Sequence, residues 1–356
     1  MIKAKEQLSA VSLFSGCGGL DLGLKRAGFK LLLGTDLEPA CEESFKLNFP
    51  NIPFFCGSVT ELSKEMLEKY LGKPIPKIDL LVGGPPCPPF SKSRFYRKEK
   101  ARSLDDPVGL ETFNGYFRSL ELLKPRAFLL ENVAGLAYKV HSAGLEFVYN
   151  KAESLGYSVS HKVLNAADFG VPQLRERCIV IGVKSGSFQF PEPTHLEPGK
   201  ADLFGQKLPR WKTTGEVLND LDTTLNADDT GHYAGGQHNN LLKQVPPGEN
   251  YLFFTRERGH PKPIFKWRSR YWSFLLKLSP QLPSWTIQAR RSNNMGPFHW
   301  RNRILRIEEI KRLQTFPDTF KLAGNVEQQW RQIGNAVPPL LAEVLGIALF
   351  KSLNAK

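Results

Sequence analysis

The sequence predicts an α/β fold, a doubly wound and mostly parallel sheet, joined to a second, smaller, loop-rich domain. Three observations predict it. Short apolar runs alternate with helix-like segments over the first half of the chain. The residues best suited to chemistry stand at the carboxyl ends of those runs, where ligands of such sheets bind. From about Lys184 to about Trp300 the composition shifts to Pro, Gly, Asn and Trp and the alternation is lost.

Taken in order, Leu8 to Phe14 reads as a strand and Gly19 to Ala27 as the helix that follows it. Lys30 to Thr35 is a second strand, with Glu38 to Asn48 helical. Pro53 to Cys56, Ile78 to Val82, Ala127 to Leu130 and Cys178 to Val183 are further strands. Strands separated by helices imply crossovers and a sheet covered on both faces. Late in the chain, Ile307 to Leu313 and Pro338 to Phe350 read as helices, the last apolar enough to pack back on the first domain. The division is thus residues 1–187, completed by 330–356, with 188–329 as the smaller domain.

Composition narrows the function. At 356 residues, 41% hydrophobic and 23% charged, the chain can bury a large core and is ordinary for a soluble globular protein. Its 48 basic against 35 acidic residues give a net charge of +13, which suggests a polyanionic partner. The five cysteines, at 17, 41, 56, 87 and 178, show no C-x-x-C and no metal-ligand spacing, so reduced thiols, no metal and a cytoplasmic location are expected. The charged start, MIKAKEQLSA, reads as no signal peptide, and no long apolar span suggests a membrane.

Four segments carry candidate chemistry. In the first, Phe14-Ser15-Gly16-Cys17-Gly18-Gly19 joins a strand to a helix, where glycines let a nucleotide-like ligand approach the backbone. It is not G-x-G-x-x-G, which argues against a dinucleotide, and Asp36 suits a ribose-diol acceptor. Together they point either to an adenosine-containing cofactor or to a tight turn with a helix-capping Asp. The second is Gly83-Gly84-Pro85-Pro86-Cys87-Pro88-Pro89-Phe90-Ser91. Its prolines stiffen the turn that presents Cys87, either as a nucleophile or as a small buried thiol. In the third, Glu131 follows the run at 127–130, where a carboxylate acts as an acid if burial raises its pKa; the alternatives are a helix cap or a satisfied buried acid. The fourth is Gln173-Leu174-Arg175-Glu176-Arg177. Arginines two apart on an extended segment point the same way and suit a phosphate or a base edge; the alternative is a solvated edge-strand charge pair.

FSGCGGLDLGL, the acid of GTDLEP, PPCPPFS, ENVAGL, QLRER, LQTFPD and QIGNAVPP stand in one order along nearly the whole chain outside roughly 188–300. In that order they resemble the cytosine-C5 DNA methyltransferases of prokaryotic restriction–modification systems. The resemblance implies a Rossmann-like fold dependent on S-adenosylmethionine, which leaves as S-adenosylhomocysteine. It makes 188–329 a target-recognition domain and hinge. It also implies that Cys87 adds to C6 of a flipped-out cytosine, that Glu131 serves N3, and that Arg175 and Arg177 hold the pocket. Phe14, Gly16, Gly18, Asp36, Leu37, Ser58, Val59, Pro85 and Asn335 would hold the cofactor. Two residues depart from the family pattern. Ser58 stands where the family usually has an acid, and a hydroxyl accepts a hydrogen bond more weakly. Pro88 replaces the usual Gln beside the nucleophile, removing a polar side chain and stiffening the loop.

The loop after Cys87 is basic and, by resemblance, closes over DNA; its Ser91, Lys92, Arg94 and Arg97 are candidate contacts. Between 251 and 300, nine Lys or Arg stand against the single acid Glu257, together with four of the six tryptophans. Arg268, Arg270, Arg290 and Arg291 are the DNA-contact candidates there, while some of the tryptophans belong to the small-domain core. Double-stranded DNA is the expected partner of a monomeric enzyme, with a cognate restriction endonuclease or phage-defence proteins in the same pathway. Two alternatives are a tRNA cytosine-5 methyltransferase and a catalytically silent DNA-binding relative.

Overall fold

The computed structural model describes residues 7–86, 107–200, 208–223, 234 and 237–355. Its centre is a seven-stranded sheet. The strands are β1 (Ser9–Leu13), β2 (Lys30–Asp36), β3 (Phe54–Cys56), β4 (Leu80–Gly83), β5 (Ala127–Val133), β6 (Ser158–Asn165) and β8 (Glu176–Val183), with β7 (Gln173–Leu174) outside it. The order is β3-β2-β1-β4-β5-β8-β6. Neighbours from β3 through β5 pair in parallel, so the order reverses between β1 and β4, and a crevice opens at their carboxyl ends.

Alternation along the central strands builds a core on each face. Ala10, Leu80, Val82, Ala127 and Leu129 join one apolar cluster, whereas Val11, Leu13, Leu81, Phe128 and Leu130 join the other. Helices α1 (Gly19–Arg26) and α2 (Pro39–Asn48) cover the first face. Helices α3 (Lys64–Leu71), α4 (Pro107–Leu123) and α5 (Ser142–Ser154) cover the second.

The mostly parallel sheet is as expected, and two features add to the expectation. The CIVIGV segment is a strand, but β8 runs antiparallel to both β5 and β6. The link from β6 to β8 carries only a 3₁₀ turn at Ala166–Phe169 and the short β7, with no helix to carry a parallel crossover. The second is β6 itself. Its sequence SVSHKVLN has no apolar face because it is an edge strand and mostly solvated, so the apolar pattern gives no sign of it.

The smaller region is built from short pieces: α6 (Thr214–Leu218), α7 (Asn239–Gln244), β9 (Ser284–Trp285) and α8 (Ile307–Leu313). Edge-to-face aromatic contacts fill it, Phe265 meeting both Tyr251 and Phe274 at 5.7 Å. Beneath α8, Arg303 and Glu309 form a fully buried, two-pronged ion pair at 2.5 and 2.8 Å.

Helix α9 (Val326–Asn335) leads into α10 (Pro339–Asn354), and α10 packs on α1. The stretch from Val326 to Asn354 is long and apolar enough to cross a membrane by composition, but Leu341, Ala342, Leu345 and Leu349 of α10 are spent on the core. Gly23 makes the approach possible, because a Cβ there would lie 2.5 Å from the Pro339 carbonyl and collide with Ala342. Gly23→Ala should therefore destabilise the protein by about 1–3 kcal/mol despite the better helix propensity of Ala. A fall in the urea midpoint at unchanged slope would show it; an unchanged or raised midpoint would show that α10 can shift away at no cost.

Candidate active site

The turn after β1 is shaped for a ligand. Phe14 and Gly16 take left-handed backbone, with φ of 54° and 56°, and Gly18 follows at 98° as the residue preceding α1. A Cβ at Gly18 would lie 2.5 Å from the Phe49 ring, whereas one at Gly16 would point into open space. Gly18 thus serves packing, and Gly16 borders a vacant approach to the backbone.

Asp36, the last residue of β2, faces that turn. It accepts from the Gly16 N–H at 2.8 Å and from the Glu38 N–H at 3.0 Å. Burial raises its pKa against the pull of those two donors. Leu37 beside it is 66% exposed, an apolar surface with nothing packed over it. Ser58 caps the 3₁₀ turn that Val59 opens; its hydroxyl lies 2.7 Å from the Thr60 hydroxyl and accepts from the Thr60 N–H. Val59 is buried, as is Pro85, whose carbonyl accepts from Asn132 Nδ2 at 3.3 Å. Asn335 ends α9 with an exposed side chain.

Below the turn, Asp21 lies in the first turn of α1 with no exposure. Burial pushes its carboxyl up to about 7, the Ser12 hydroxyl pulling the other way. Burial also raises the thiol pKa of Cys17 and Cys41, and that of Cys178 to about 12. None of the three is a thiolate near neutral pH.

Cys87, together with Ser91, Lys92, Arg94 and Arg97, lies outside the described residues. The chain leading to it is described as far as Pro86, and it passes against Glu131. A Cβ on Gly84 would sit 2.9 Å from Glu131 Oε2. Glu131 lies within β5, which continues to Val133 instead of ending at Leu130 as expected. Its side chain is 8% exposed, and its Oε1 meets Arg177 Nε at 2.8 Å. Position 177 pairs with Val133 across the β5–β8 ladder, which brings the guanidinium over the end of β5.

The two arginines do not act as one fork, contrary to the expectation from their spacing. Arg175 precedes β8 and is buried at 1% exposure. It donates to the carbonyls of Ile287 at 3.3 Å and of Gly334 and Ala336, both at 2.9 Å. Gln173 binds the same neighbourhood, donating to the Leu313 carbonyl and accepting from the Ile287 N–H. Arg175 therefore staples the segment after β9 to the end of α9, and Arg177 alone serves Glu131. No spacing rule could separate them, because the difference lies in which segment packs over each residue.

Beside the Glu131–Arg177 pair opens a cleft of about 450 Å³, bordered by Tyr138, Asn165, Arg177, Trp285 and Thr286. Sequence reasoning missed Tyr138, Asn165 and Thr286 as cleft residues, since nothing in their local patterns marks them. Of the proposed DNA contacts, Arg268, Arg270 and Arg290 are exposed. Arg291 is not: its side chain is 12% exposed and faces Glu327 at 3.5 Å.

The sheet order, the open glycine turn and the buried acid at the end of β5 make a doubly wound α/β protein with its candidate site at the carboxyl ends of the strands. The chain belongs to the C-5 cytosine-specific DNA methylase family, whose model matches residues 8–351. It is 38% identical over 374 residues to the Type II methyltransferase M.SacI of Streptomyces achromogenes, covering 98% of this chain and 94% of that one. It is 34% identical to the Type II methyltransferase M1.HphI of Haemophilus parahaemolyticus, covering 97% and 87%. A putative DNA modification methyltransferase encoded within an E. coli prophage shares the fold at a TM-score of 0.70 and 24% identity, covering 98% of this chain and 100% of that one. The S. pombe Dnmt2 methyltransferase shares it at 0.65 and 15%, covering 98% and 99%. The chain is thus a DNA cytosine-5-methyltransferase of the type II restriction–modification kind. Membership implies S-adenosylmethionine as methyl donor, and the open space at Gly16 and the uncovered Leu37 fit such a group.

Two outcomes follow from the burial of these acids. Between its ordinary value of 3.8 and about 7, folded Asp21 holds a proton that the unfolded chain has released. Its contribution to stability is therefore greatest below that window and is lost as pH rises through it. Asp21→Asn should remove a component of Tm that falls between roughly pH 4 and 7, so that Tm of the variant minus that of the wild type rises across the window; a constant difference would assign the titration elsewhere. Arg177→Ala should cost about 3–5 kcal/mol in urea unfolding by stranding the Glu131 charge, and adding Glu131→Gln should recover most of it.

Proposed function

We propose that this enzyme methylates C5 of a cytosine turned out of double-stranded DNA at a specific sequence, through a covalent bond between Cys87 Sγ and C6. The observation that carries the reading is Gly84: the chain entering Cys87 passes directly against the buried Glu131–Arg177 pair. C5 of cytosine is a poor nucleophile. Addition of the Cys87 thiolate at C6, with Glu131 serving N3, pushes electrons onto C5. The cofactor supplies an electrophilic methyl group on a sulfonium. After C5 is methylated, a solvent water takes its proton, the C–H electron pair re-forms the C5=C6 bond and the Sγ–C6 pair leaves with sulfur, which restores the aromatic ring and the thiolate.

The other residues have supporting tasks. Phe14, Gly16, Asp36, Leu37, Ser58, Val59, Pro85 and Asn335 line the cofactor side, with Asp36 accepting from the ribose hydroxyls, and Gly18 shapes the turn by its packing on Phe49. Arg177 holds Glu131 in place, and Arg175 sets the hinge between residues 1–187 with 330–356 and the target-recognition residues 188–329. Arg268, Arg270 and Arg290 meet phosphates with the basic loop after Cys87, since a base inside a duplex cannot reach a thiol without being extruded. The enzyme works as a cytoplasmic monomer beside a cognate restriction endonuclease in phage defence.

The test is transfer of labelled methyl from S-adenosylmethionine to unmethylated duplex DNA and, in parallel, to tRNA, with Cys87→Ser alongside. Label recovered as 5-methylcytosine in DNA and lost in the variant is expected. Label in tRNA alone would overturn the substrate, and a fully active Cys87→Ser would overturn the covalent step.

A further inference from the structure

A half-exposed indole at the rim of the cleft and a second packed against it have no part in the chemistry described above. Trp285 lies on β9, whose parallel pairing sets it opposite Leu174 of β7. Leu174 is three residues ahead of Arg177, about 10 Å of extended chain. Trp285 borders the same cleft as Arg177. Trp272 follows the exposed cations Lys266, Arg268 and Arg270, and its ring meets Trp285 at 5.5 Å with the planes at 68°. This edge-to-face contact braces the two rings yet leaves them 48% and 37% exposed.

The setting specifies the occupant. Arg268 holds a left-handed backbone, φ 53°, which is unusual for a residue with a long side chain and keeps its guanidinium 5.8 Å from the Trp267 ring on the open surface. Aromatic faces among exposed cations suit nucleobases with their phosphates, whereas a protein partner would meet uncompensated charge. Trp285 shares its cleft with Arg177, so a duplex whose target base enters that cleft presents the neighbouring bases of the stack to the indole.

We propose that Trp285, braced by Trp272, stacks on the base that adjoins the extruded cytosine and holds the duplex open at that step. The inference rests on the base-extruding reading above. Trp285 is in this sense a positioning residue, acting on DNA geometry and not on the reacting atoms.

The experiment uses the full chain and a duplex oligonucleotide carrying the site mapped by bisulfite sequencing of DNA that the wild type has methylated. In it, 2-aminopurine replaces either the target or the adjoining base. With the wild type, fluorescence should rise at the target position and stay quenched at the adjoining one. Trp285→Ala should relieve the adjoining quench and raise KM for DNA about tenfold or more with a smaller change in kcat, and Trp285→Phe should restore both. Trp272→Ala should act in the same direction and less strongly. In unmutated protein, DNA should shield tryptophan emission from acrylamide. Wild-type KM and an unrelieved quench in Trp285→Ala would overturn the proposal while leaving the extrusion reading intact. No rise at the target position, or no methylation of duplex DNA by the wild type, would overturn that reading and this proposal together.

Discussion

A carboxylate at the end of a buried strand is tolerable only with a counter-charge held beside it, and in this enzyme the Glu131–Arg177 contact meets that condition. The arrangement needs β8 to run antiparallel to β5, since the pairing of Val133 with Arg177 delivers the guanidinium to the end of β5. It also needs a glycine at 84, because a side chain there would occupy the carboxylate's space. The reversed strand, the glycine before the Pro-rich turn and the acid of ENVAGL are therefore one constraint seen from three segments.

The same economy governs how the chain's far end returns. Arg175 spends its guanidinium on carbonyls of the segment after β9 and of the turn after α9, so the residue two places before the site arginine ties three distant segments together. Trp330 adds a bond to the Gln288 carbonyl at 2.9 Å. These bonds tie the segment after β9 to the residue that precedes β8, close to Trp285, Thr286 and Arg177 at the cleft. Glycines allow the close approaches: Gly334 sits against Gln288 and Ala289, and Gly23 against α10.

Much of this was legible beforehand because it is local. Apolar runs bounded by Gly and Pro located β1, β2, β4, β5 and β8, and turn residues located the Gly16 loop and Asp36. Edge strand β6 was not legible, since solvent on most of its surface removes the apolar signal. Ser58 was legible as a departure from a pattern; that its hydroxyl is engaged with Thr60 was not.

The sequence by itself determined the fold class, the identity of the chemical groups and their order along the chain, because periodicity and turn chemistry act over a few residues. Only the tertiary structure decided which of two similar arginines meets Glu131, that Arg291 turns inward to Glu327, and that Trp272 packs on Trp285 beside the cleft that Trp285 borders. Those outcomes depend on strand direction, register and how segments distant in sequence pack together, and local patterns do not encode them.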